Sequence, residues 1–390
     1  MRDYDVIVAG AGPAGSMAAL ALARAGVQVG IFERARFPRD KVCGDVLGPM
    51  ARASLGAMGL LGSVEALAHR CEGVQVVAPG GRVVPVGVAH LTLRRSVLDA
   101  LLLEAAIRAG AGFEEGVEVD APLWSGSGVA RGVRCATARG VRFEARATVT
   151  ILATGASSKA LRKSGACLRT TPSAVAQRSI WSLPGIDPGR VVVSFEHEGG
   201  RALGWIAPLG EGAANVGCGV FLEGGVVGVE LRGLFERLRG SSGAFGGALS
   251  GGRQETRFEG APLRCGLSGA RAALPGLLVA GEALGVSRPL TGEGIGEAME
   301  SGRMAAMAAI GALNTGQVEG LDAYERLLER ERLAEHLGSY ARAQRWMGRG
   351  WAAVPLGWWA VRGGWPLSRV EAAVGLGESK EGPGGLPGDA

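Results

Sequence analysis

The sequence lacks the features that mark several common classes of protein. Its six cysteines are widely spaced, with no C-x-x-C pair and no histidine cluster, so neither a zinc site nor a disulfide framework is predicted. No stretch reaches 18 consecutive apolar residues, which excludes a membrane-spanning helix. The chain enters a strand-like run at Tyr4, which leaves no room for a signal peptide. We therefore expect reduced thiols and a cytoplasmic protein.

An excess of one charge is lacking as well. The 42 basic and 37 acidic residues are interspersed, without the basic run or stripe that nucleic-acid binding requires, so nucleic acid is not expected as a partner. Glycine is abundant instead, at 67 of 390 residues, but has no collagen-like period. The length predicts two or three structural units, and the 47% of hydrophobic residues predict an ordinary globular core.

The start of the chain has the pattern of a β-α-β unit. An apolar run at 5–9 leads into a glycine-rich turn, a helical stretch at 16–25 and a second apolar run at 27–32. A later strand-like run at 141–152 ends near a glycine, as parallel strands do at a ligand crevice. Between about 165 and 262, β-branched residues and glycine-rich turns predict a second, sheet-rich unit.

The first turn carries a G-x-G-x-x-G pattern between a strand and a helix. Gly10 permits the tight turn, Gly12 lets the backbone approach a pyrophosphate, and Gly15 lets helix and strand pack closely. The helix N-terminus at Ala14 favours the negative phosphates, and Glu33 accepts hydrogen bonds from a ribose diol. The pattern predicts a bound dinucleotide, and the alternative is a tight turn without a ligand.

A second glycine-rich turn indicates which dinucleotide is bound. The segment 289–295 stands at the start of a predicted helix and follows a strand that ends at Gly281 and Glu282. A helix N-terminus aimed at a ring edge supplies N–H donors and a positive dipole to the flavin N1/O2 region, which becomes negative on reduction. This element favours FAD.

With these elements the chain resembles the geranylgeranyl reductase family of FAD-dependent oxidoreductases, within the para-hydroxybenzoate hydroxylase-like flavoproteins, over about residues 4–315. The segments that carry the resemblance are 10–15 with Glu33, 37–45, 95–99, 153–158 and 289–295. The fold class is then α/β, a Rossmann-type FAD-binding domain with an inserted sheet-rich substrate domain and a C-terminal helical segment.

The expected domain boundaries are 1–72, 92–162 and 262–318 for the FAD-binding domain, 73–91 and 163–261 for the substrate domain, and 319–390 for a C-terminal helical region with a frayed tail. That last region holds five of the eight tryptophans, Trp346, Trp351, Trp358, Trp359 and Trp365, among several arginines. This composition fits a helical pair packed over the substrate domain, or an interfacial helix in peripheral contact with a membrane.

The resemblance also implies a set of cofactor-binding residues. Arg95 would contact the FAD pyrophosphate, and Glu282 would replace an aspartate near the ribityl and phosphate groups. Lys41 is either an anchor of the flavin loop or a solvated surface charge. The predicted set is Gly10, Gly12, Ala14, Gly15, Glu33, Arg34, Lys41, Cys43, Gly44, Arg95, Gly155, Gly281, Glu282, Pro289, Gly292, Gly294 and Ile295. No metal ligand is predicted.

Two catalytic residues are predicted, Cys43 and Trp205. The resemblance puts Cys43 near the isoalloxazine ring, where a thiol positions substrate or delivers a proton; the alternative is a small buried residue. Trp205 stacks near substrate or packs in the core. It lies in 203–208, where the family has Tyr-x-Trp-x-Phe-Pro and this chain keeps only Trp205 and Pro208. The loss of two rings argues against digeranylgeranyl lipid as the substrate.

The predicted function is reduction of carbon–carbon double bonds in an apolar, isoprenoid or polyketide-like small molecule by hydride transfer from flavin N5. No second dinucleotide fingerprint is present, so NAD(P)H would bind transiently or an external protein would donate electrons. The second hypothesis is an FAD-dependent monooxygenase, a hydroxylase or halogenase, although Gly-x-Asp-Gly after Gly155 and Trp-x-Trp-x-Ile-Pro are missing. The third is a non-catalytic flavin-binding scaffold.

Overall fold

The computed structural model describes residues 2–78, 81–195, 202–222, 230–241, 243–267, 269–318, 320–331, 333 and 337–338. The five C-terminal tryptophans and the predicted tail lie outside these residues. The helices are α1 (Pro13–Arg24), α2 (Pro49–Ala57), α3 (Leu61–Glu65), α4 (Arg95–Arg108), α5 (Lys159–Lys163), α6 (Leu231–Arg239), α7 (Ala244–Ala248), α8 (Ile295–Thr315) and α9 (Ala323–Arg330).

The strands are β1 (Arg2–Ala9), β2 (Val29–Glu33), β3 (Val46–Leu47), β4 (His69–Cys71), β5 (Gly73–Val77), β6 (Val83–Val86), β7 (His90–Thr92), β8 (Gly112–Glu115), β9 (Val117–Trp124), β10 (Ala130–Thr137), β11 (Arg142–Leu152), β12 (Ala174–Ser182), β13 (Arg190–Ser194), β14 (Ala202–Gly210), β15 (Ala213–Phe221), β16 (Arg253–Gln254), β17 (Glu259–Leu263), β18 (Ala273–Leu274) and β19 (Leu277–Val279). They form two large sheets and a small one of order β3-β7-β4.

The first large sheet has the order β18-β19-β11-β1-β2-β8, with β10 and β9 joined to β11. Strands β19, β11, β1, β2 and β8 run parallel, so the carboxyl ends of β1, β11 and β19 meet at one edge. Gly10, Gly155 and Gly281 follow those three ends. Ligands of parallel sheets bind outside this edge.

Helices α1 and α8 pack together against this sheet. A Cβ atom built on Gly302 of α8 would lie 2.1 Å from the carbonyl oxygen of Ala14 in α1, so this approach requires glycine. The contact brings the beginning of α1 close to α8 and fixes the distance between the two helices that start at the ligand edge.

The second large sheet has the order β16-β12-β15-β14-β13-β5-β6, with β17 beside β12. One of its faces packs against α6 and α7, where a Cβ atom on Gly204 would meet Phe245 at 3.0 Å and Leu238 at 3.2 Å. Because side chains alternate along a strand, Leu203 and Trp205 of the same strand lie on the opposite face. That face looks toward the ligand edge of the first sheet.

Strands of the second sheet come from 73–86 and from 174–263. The division of the chain into an FAD-binding domain and a substrate domain stays a prediction. Among the described residues, no helix is both long and apolar enough to cross a membrane. None of the six cysteines forms a disulfide.

Candidate cofactor and substrate site

The three glycines of the first turn differ in their surroundings. Gly10 has a φ of +106°, and a Cβ atom built on it would lie 2.4 Å from the carbonyl oxygen of Ala153. A Cβ atom on Gly15 would lie 1.8 Å from the carbonyl oxygen of Gly10, whereas one on Gly12 would meet only Nη2 of Arg39, at 3.6 Å. The fold therefore requires Gly10 and Gly15, while Gly12 leaves space beside the start of α1.

Glu33 holds the same turn through its carboxylate. Oε2 accepts a hydrogen bond from the backbone N–H of Ala11 at 2.9 Å, and Oε1 accepts one from Ala35 at 2.8 Å. The residue is 7% exposed. Each carboxylate oxygen keeps a lone pair for another donor, so the predicted ribose contact adds to a structural role. The neighbouring Arg34 is exposed.

We expect Glu33→Ala to weaken FAD binding and to destabilise the turn. The variant loses two hydrogen bonds to a charged group, each worth about 1.5–3 kcal/mol. The measurements are FAD titration of the apoprotein and urea unfolding. Glu115→Ala is the control, because Glu115 lies opposite Glu33 in β8 and accepts a backbone N–H at 2.7 Å while remaining exposed. Equal FAD affinity in Glu33→Ala and wild type would contradict the ribose contact.

A large cavity lies between the glycine turn and the second sheet. Counted together with the space at its mouth that is open to solvent, it measures about 1720 Å³. The predicted residues that line it are Gly12, Ala14, Lys41, Cys43, Gly44, Arg95, Gly155, Trp205, Gly281, Glu282, Gly292, Gly294 and Ile295. The structure thus brings together most of the predicted site. Gly10, Gly15, Glu33, Arg34 and Pro289 lie outside the lining, and Pro289 is buried.

Helix α8 begins at this cavity. Its N-cap residue, Gly294, provides no side-chain acceptor for the N–H groups of the first turn. The nearby Thr291 hydroxyl is buried without a hydrogen-bond partner in the described part of the chain. The backbone N–H groups of a helix N-terminus suit an electron-rich ring edge, and the space beside Gly12 suits a pyrophosphate. The residues present therefore fit FAD.

Lys41 is held by an ion pair. Its Nζ lies 2.8 Å from Oε2 of Glu282 and close to Gly155. This pair joins the loop before β3 to the 3-10 turn at Gly281–Ala283. The contact favours the predicted anchor over the solvated surface charge.

Arg95 is buried beside a second arginine that the motifs did not single out. Its Nε and Nη2 each donate to Asp99 at 2.8 Å, and Arg39 contacts the same carboxylate at 2.9 Å. Asp99 is fully buried. Two guanidinium groups therefore share one carboxylate near Gly12, which leaves net positive charge where a pyrophosphate would lie. The pairing supports the predicted role of Arg95 and adds Arg39 to it.

The two predicted catalytic residues are linked through an asparagine. Trp205 Nε1 donates to Oδ1 of Asn215 at 2.9 Å, and Nδ2 of Asn215 donates to the carbonyl oxygen of Cys43 and to Oδ2 of Asp45, both at 2.8 Å. A Cβ atom on Gly217 would lie 2.2 Å from the indole ring, so this glycine makes the space for Trp205. Sequence motifs did not identify Asn215.

Cys43 keeps partial contact with the cavity, although protein surrounds its thiol. Burial raises the pKa of the thiol above its ordinary value, and the neighbouring Arg95 guanidinium opposes that rise. At neutral pH Cys43 is therefore a thiol, which can donate a proton but is not a thiolate nucleophile.

Asp45 is buried, and its backbone lies in the left-handed region, with a φ of +61°. Burial raises its pKa from 3.8 to about 6, while the hydrogen bond from Asn215 and the charges of Arg95 and Arg178 oppose the rise. Its Oδ1 has no hydrogen-bond partner among the described residues. The carboxylate thus costs stability when it is ionised.

We expect Asp45→Asn to stabilise the fold at high pH only. A raised folded-state pKa gives stability that is complete below 3.8 and is lost as the pH rises through about 6. At about 1.4 kcal/mol per pKa unit, the free energy of unfolding of the variant should exceed that of wild type by about 3 kcal/mol at pH 8. The two free energies of unfolding should be equal at pH 3.5. Urea unfolding measures this, with the exposed Asp3→Asn as control. A pH-independent difference would contradict the assigned burial cost.

The wall opposite the cofactor residues is apolar. Val76, Val193 and Trp205 stand side by side on β5, β13 and β14. Further lining side chains are Val74, Val191, Phe195, Leu203, Val220, Phe221 and Leu263. Leu203 and Ala207 share the face of Trp205 and occupy the positions of the two missing rings. His90 also lines this cavity, and its Nδ1 donates to the carbonyl oxygen of Val88 at 2.8 Å.

Comparison with known proteins identifies the family. A family model described as an FAD binding domain matches residues 3–183. Digeranylgeranylglycerophospholipid reductase 1 of Methanopyrus kandleri is 33% identical, over 80% of this chain and 81% of that protein. The chain belongs to the geranylgeranyl reductase family. This confirms the resemblance, the FAD cofactor and an FAD-dependent oxidoreductase.

Other proteins that this chain is similar to carry different names. Menaquinone reductase of Mycobacterium tuberculosis is 34% identical, over 77% of this chain and 75% of that protein. Conditioned medium factor receptor 1 of Dictyostelium discoideum is 29% identical over 80% of this chain, and the chain spans only 64% of that protein's length.

Solved structures confirm the fold class. A geranylgeranyl bacteriochlorophyll reductase-like protein of Thermoplasma acidophilum has a TM-score of 0.76 and 20% identity, covering 96% of this chain and 100% of that one. A flavin-dependent brominase has a TM-score of 0.77 and 18% identity, covering 96% and 93%. At these identities the likeness shows the α/β fold alone, which reductases and halogenases share.

Proposed function

We propose that this member of the geranylgeranyl reductase family reduces a carbon–carbon double bond in an apolar small molecule. The observation that carries the proposal is the continuous apolar wall of the second sheet, which faces the cofactor-lining residues across one cavity. FAD, when bound, supplies a hydride equivalent from N5. The wall binds the alkene by apolar contact and excludes water from it.

The second hydrogen must arrive as a proton, and Cys43 is the proposed donor. It is a protonated group at neutral pH that lines the cavity together with Trp205. Proton loss from Sγ leaves a thiolate, which the buried Arg95 guanidinium beside it stabilises. The proposed role of Trp205 is to contact the substrate with its ring while its Nε1 is fixed by Asn215.

The proposed substrate class is isoprenoid or polyketide-like. Two relatives are named for reduction of digeranylgeranylglycerophospholipid and of menaquinone, which supports an unsaturated apolar chain. Leu203, which lines the cavity, and Ala207 stand where the family motif has two aromatic rings, and on this ground we propose a substrate other than digeranylgeranyl lipid. Transient NAD(P)H or an external protein remains the proposed electron donor, and peripheral membrane contact through the C-terminal region stays a prediction.

Anaerobic single turnover tests the proposed function. The holoenzyme is reduced with dithionite, mixed with a panel of isoprenoid and polyketide alkenes, and followed by the return of flavin absorbance. We expect alkene-dependent reoxidation and a saturated product without oxygen. Product that forms only after oxygen is admitted would establish a monooxygenase instead. No reaction with or without oxygen, across the panel, would favour the non-catalytic flavin-binding scaffold.

A further inference from the structure

We propose that Asn215 is a positioning residue that holds the Cys43 loop and the Trp205 indole in one arrangement at the cavity. Its side chain makes three hydrogen bonds, one from Trp205 and two to the loop, at the carbonyl oxygen of Cys43 and at Asp45. The loop bonds join residues about 170 positions apart in the chain. The effect of Asn215 on catalysis rests on the proposed function, whereas its effect on the position of the loop does not.

The surroundings of Asn215 show why the amide is needed. Asn215 is fully buried, between Ala214 and Val216, which are also fully buried. Its neighbours across the sheet are the apolar Ile180 and Ala207. Both Nδ2 hydrogens are used toward the loop, and a buried amide without such partners is costly. Since β15 pairs with its neighbours through backbone groups, the amide contributes to the loop contact and not to strand pairing.

The loop side of the contact is strongly charged. The charges of Arg95 from α4, of Arg178 from β12 and of Asp40 from the same loop act on Asp45, and Asp45 in turn acts on the Cys43 thiol. Arg178 also forms an ion pair with Asp40, which ties the front of the loop to the second sheet. The amide of Asn215 therefore fixes the C-terminal part of the loop, at Cys43 and Asp45.

Asn215→Asp tests this contact with little change in volume. Its new carboxyl group lies about 2.8 Å from both loop oxygens if it takes the place of the amide. At high pH the new carboxylate repels Asp45 and releases the loop. At low pH two carboxyl groups this close share a proton, which restores a donor to the loop. In wild type, protonation of Asp45 weakens its hydrogen bond with Nδ2 of Asn215. Lowering the pH should therefore loosen the Cys43 loop in wild type and hold it more firmly in the variant.

The readout is the rate at which 4,4′-dithiodipyridine modifies Cys43 in the holoenzyme, measured by peptide mass spectrometry. The rate in the variant is divided by that in wild type at each pH, which removes the ionisation that both proteins share. The new carboxylate raises the pKa of the Cys43 thiol and so lowers this ratio, which works against the expected increase. Cys167, which does not line the cavity, is the internal reference. Asn314→Asp is the matched control, because Asn314 is the other asparagine of the sequence and is exposed on α8.

We expect a ratio of about tenfold near pH 9, the factor for one hydrogen bond to a charged group, and a ratio near one at about pH 5.5. A ratio of one at every pH would overturn the proposal, and so would a raised ratio that does not change with pH. Asn215→Ser is the second variant and should raise the ratio at both pH values. If Asn215→Asp does not fold, unchanged labelling in Asn215→Ser overturns the proposal.

An activity measurement separates this proposal from the proposed function. In an enzyme that reduces an alkene, Asn215→Asp should lower kcat near pH 9 and recover it near pH 5.5, both measured with the protein saturated with FAD. If no alkene is reduced, the proposed function fails and the labelling result still decides the role of Asn215.

Discussion

Gly12→Val is expected to abolish FAD binding and to leave the protein folded. The Gly12 backbone is extended, with a φ of −78°, which valine also adopts. An added Cβ atom meets only the flexible end of Arg39, at 3.6 Å. The side chain would instead fill the space in which a pyrophosphate approaches α1. We expect the FAD dissociation constant to rise at least about 100-fold, because the phosphates lose their contact with the helix N-terminus.

Gly15, three residues after Gly12, shows the contrast between a glycine needed for binding and one needed for folding. Gly15→Val would place its Cβ atom 1.8 Å from the carbonyl oxygen of Gly10, so this variant should lose the fold itself. Gly126→Val is the matched control, since a Cβ atom there has nothing within 4 Å. Flavin absorbance per protein and urea unfolding measure the two effects. A purified Gly12→Val protein with a full flavin spectrum would overturn the assignment of the first turn.

The parts of the fold that could be predicted depend on local sequence. The β-α-β unit follows from hydrophobic periodicity, and α1 is found where a helical stretch was expected at 16–25. The helix begins earlier, at Pro13, because proline suits the first helical position. The strand that is predicted to end at Gly281 and Glu282 ends at Val279 instead, since Gly281 adopts a φ of +65° and begins a 3-10 turn.

The residues that sequence reasoning missed depend on contacts between distant segments. Arg39 gains its role by sharing Asp99 with Arg95, and His90 gains its place by lining the cavity. Arg39 lies in the segment 37–45 without a role assigned to it there, and His90 belongs to no motif. Asn215 offered one signal, a polar residue inside the apolar run 213–221. Buried polar residues have partners, but the sequence does not show that these partners lie on the loop of Cys43.

Cys43→Ser is expected to keep FAD and the fold while slowing alkene reduction by about 10²–10⁴, the range for one positioned general acid. Burial keeps Cys43 protonated, and Arg95 beside it stabilises the thiolate that remains after proton transfer. A serine hydroxyl is far less acidic than a thiol and does not replace this donor. Single-turnover rates normalised to bound flavin give the effect, with Cys167→Ser as the control for a thiol outside the cavity lining.

Cys43→Ala separates proton donation from packing. If the thiol donates the proton, the alanine variant should lose turnover to the same extent as Cys43→Ser, because neither side chain supplies an acidic hydrogen. If the thiol only fills space, Cys43→Ala should cost modest stability and leave the rate per folded molecule near wild type. Normal turnover in both variants would remove Cys43 from the catalytic residues. The proton would then have to come from water in the cavity near Trp205 and the turn at 289–294, where the Thr291 hydroxyl is buried without a partner in the described chain.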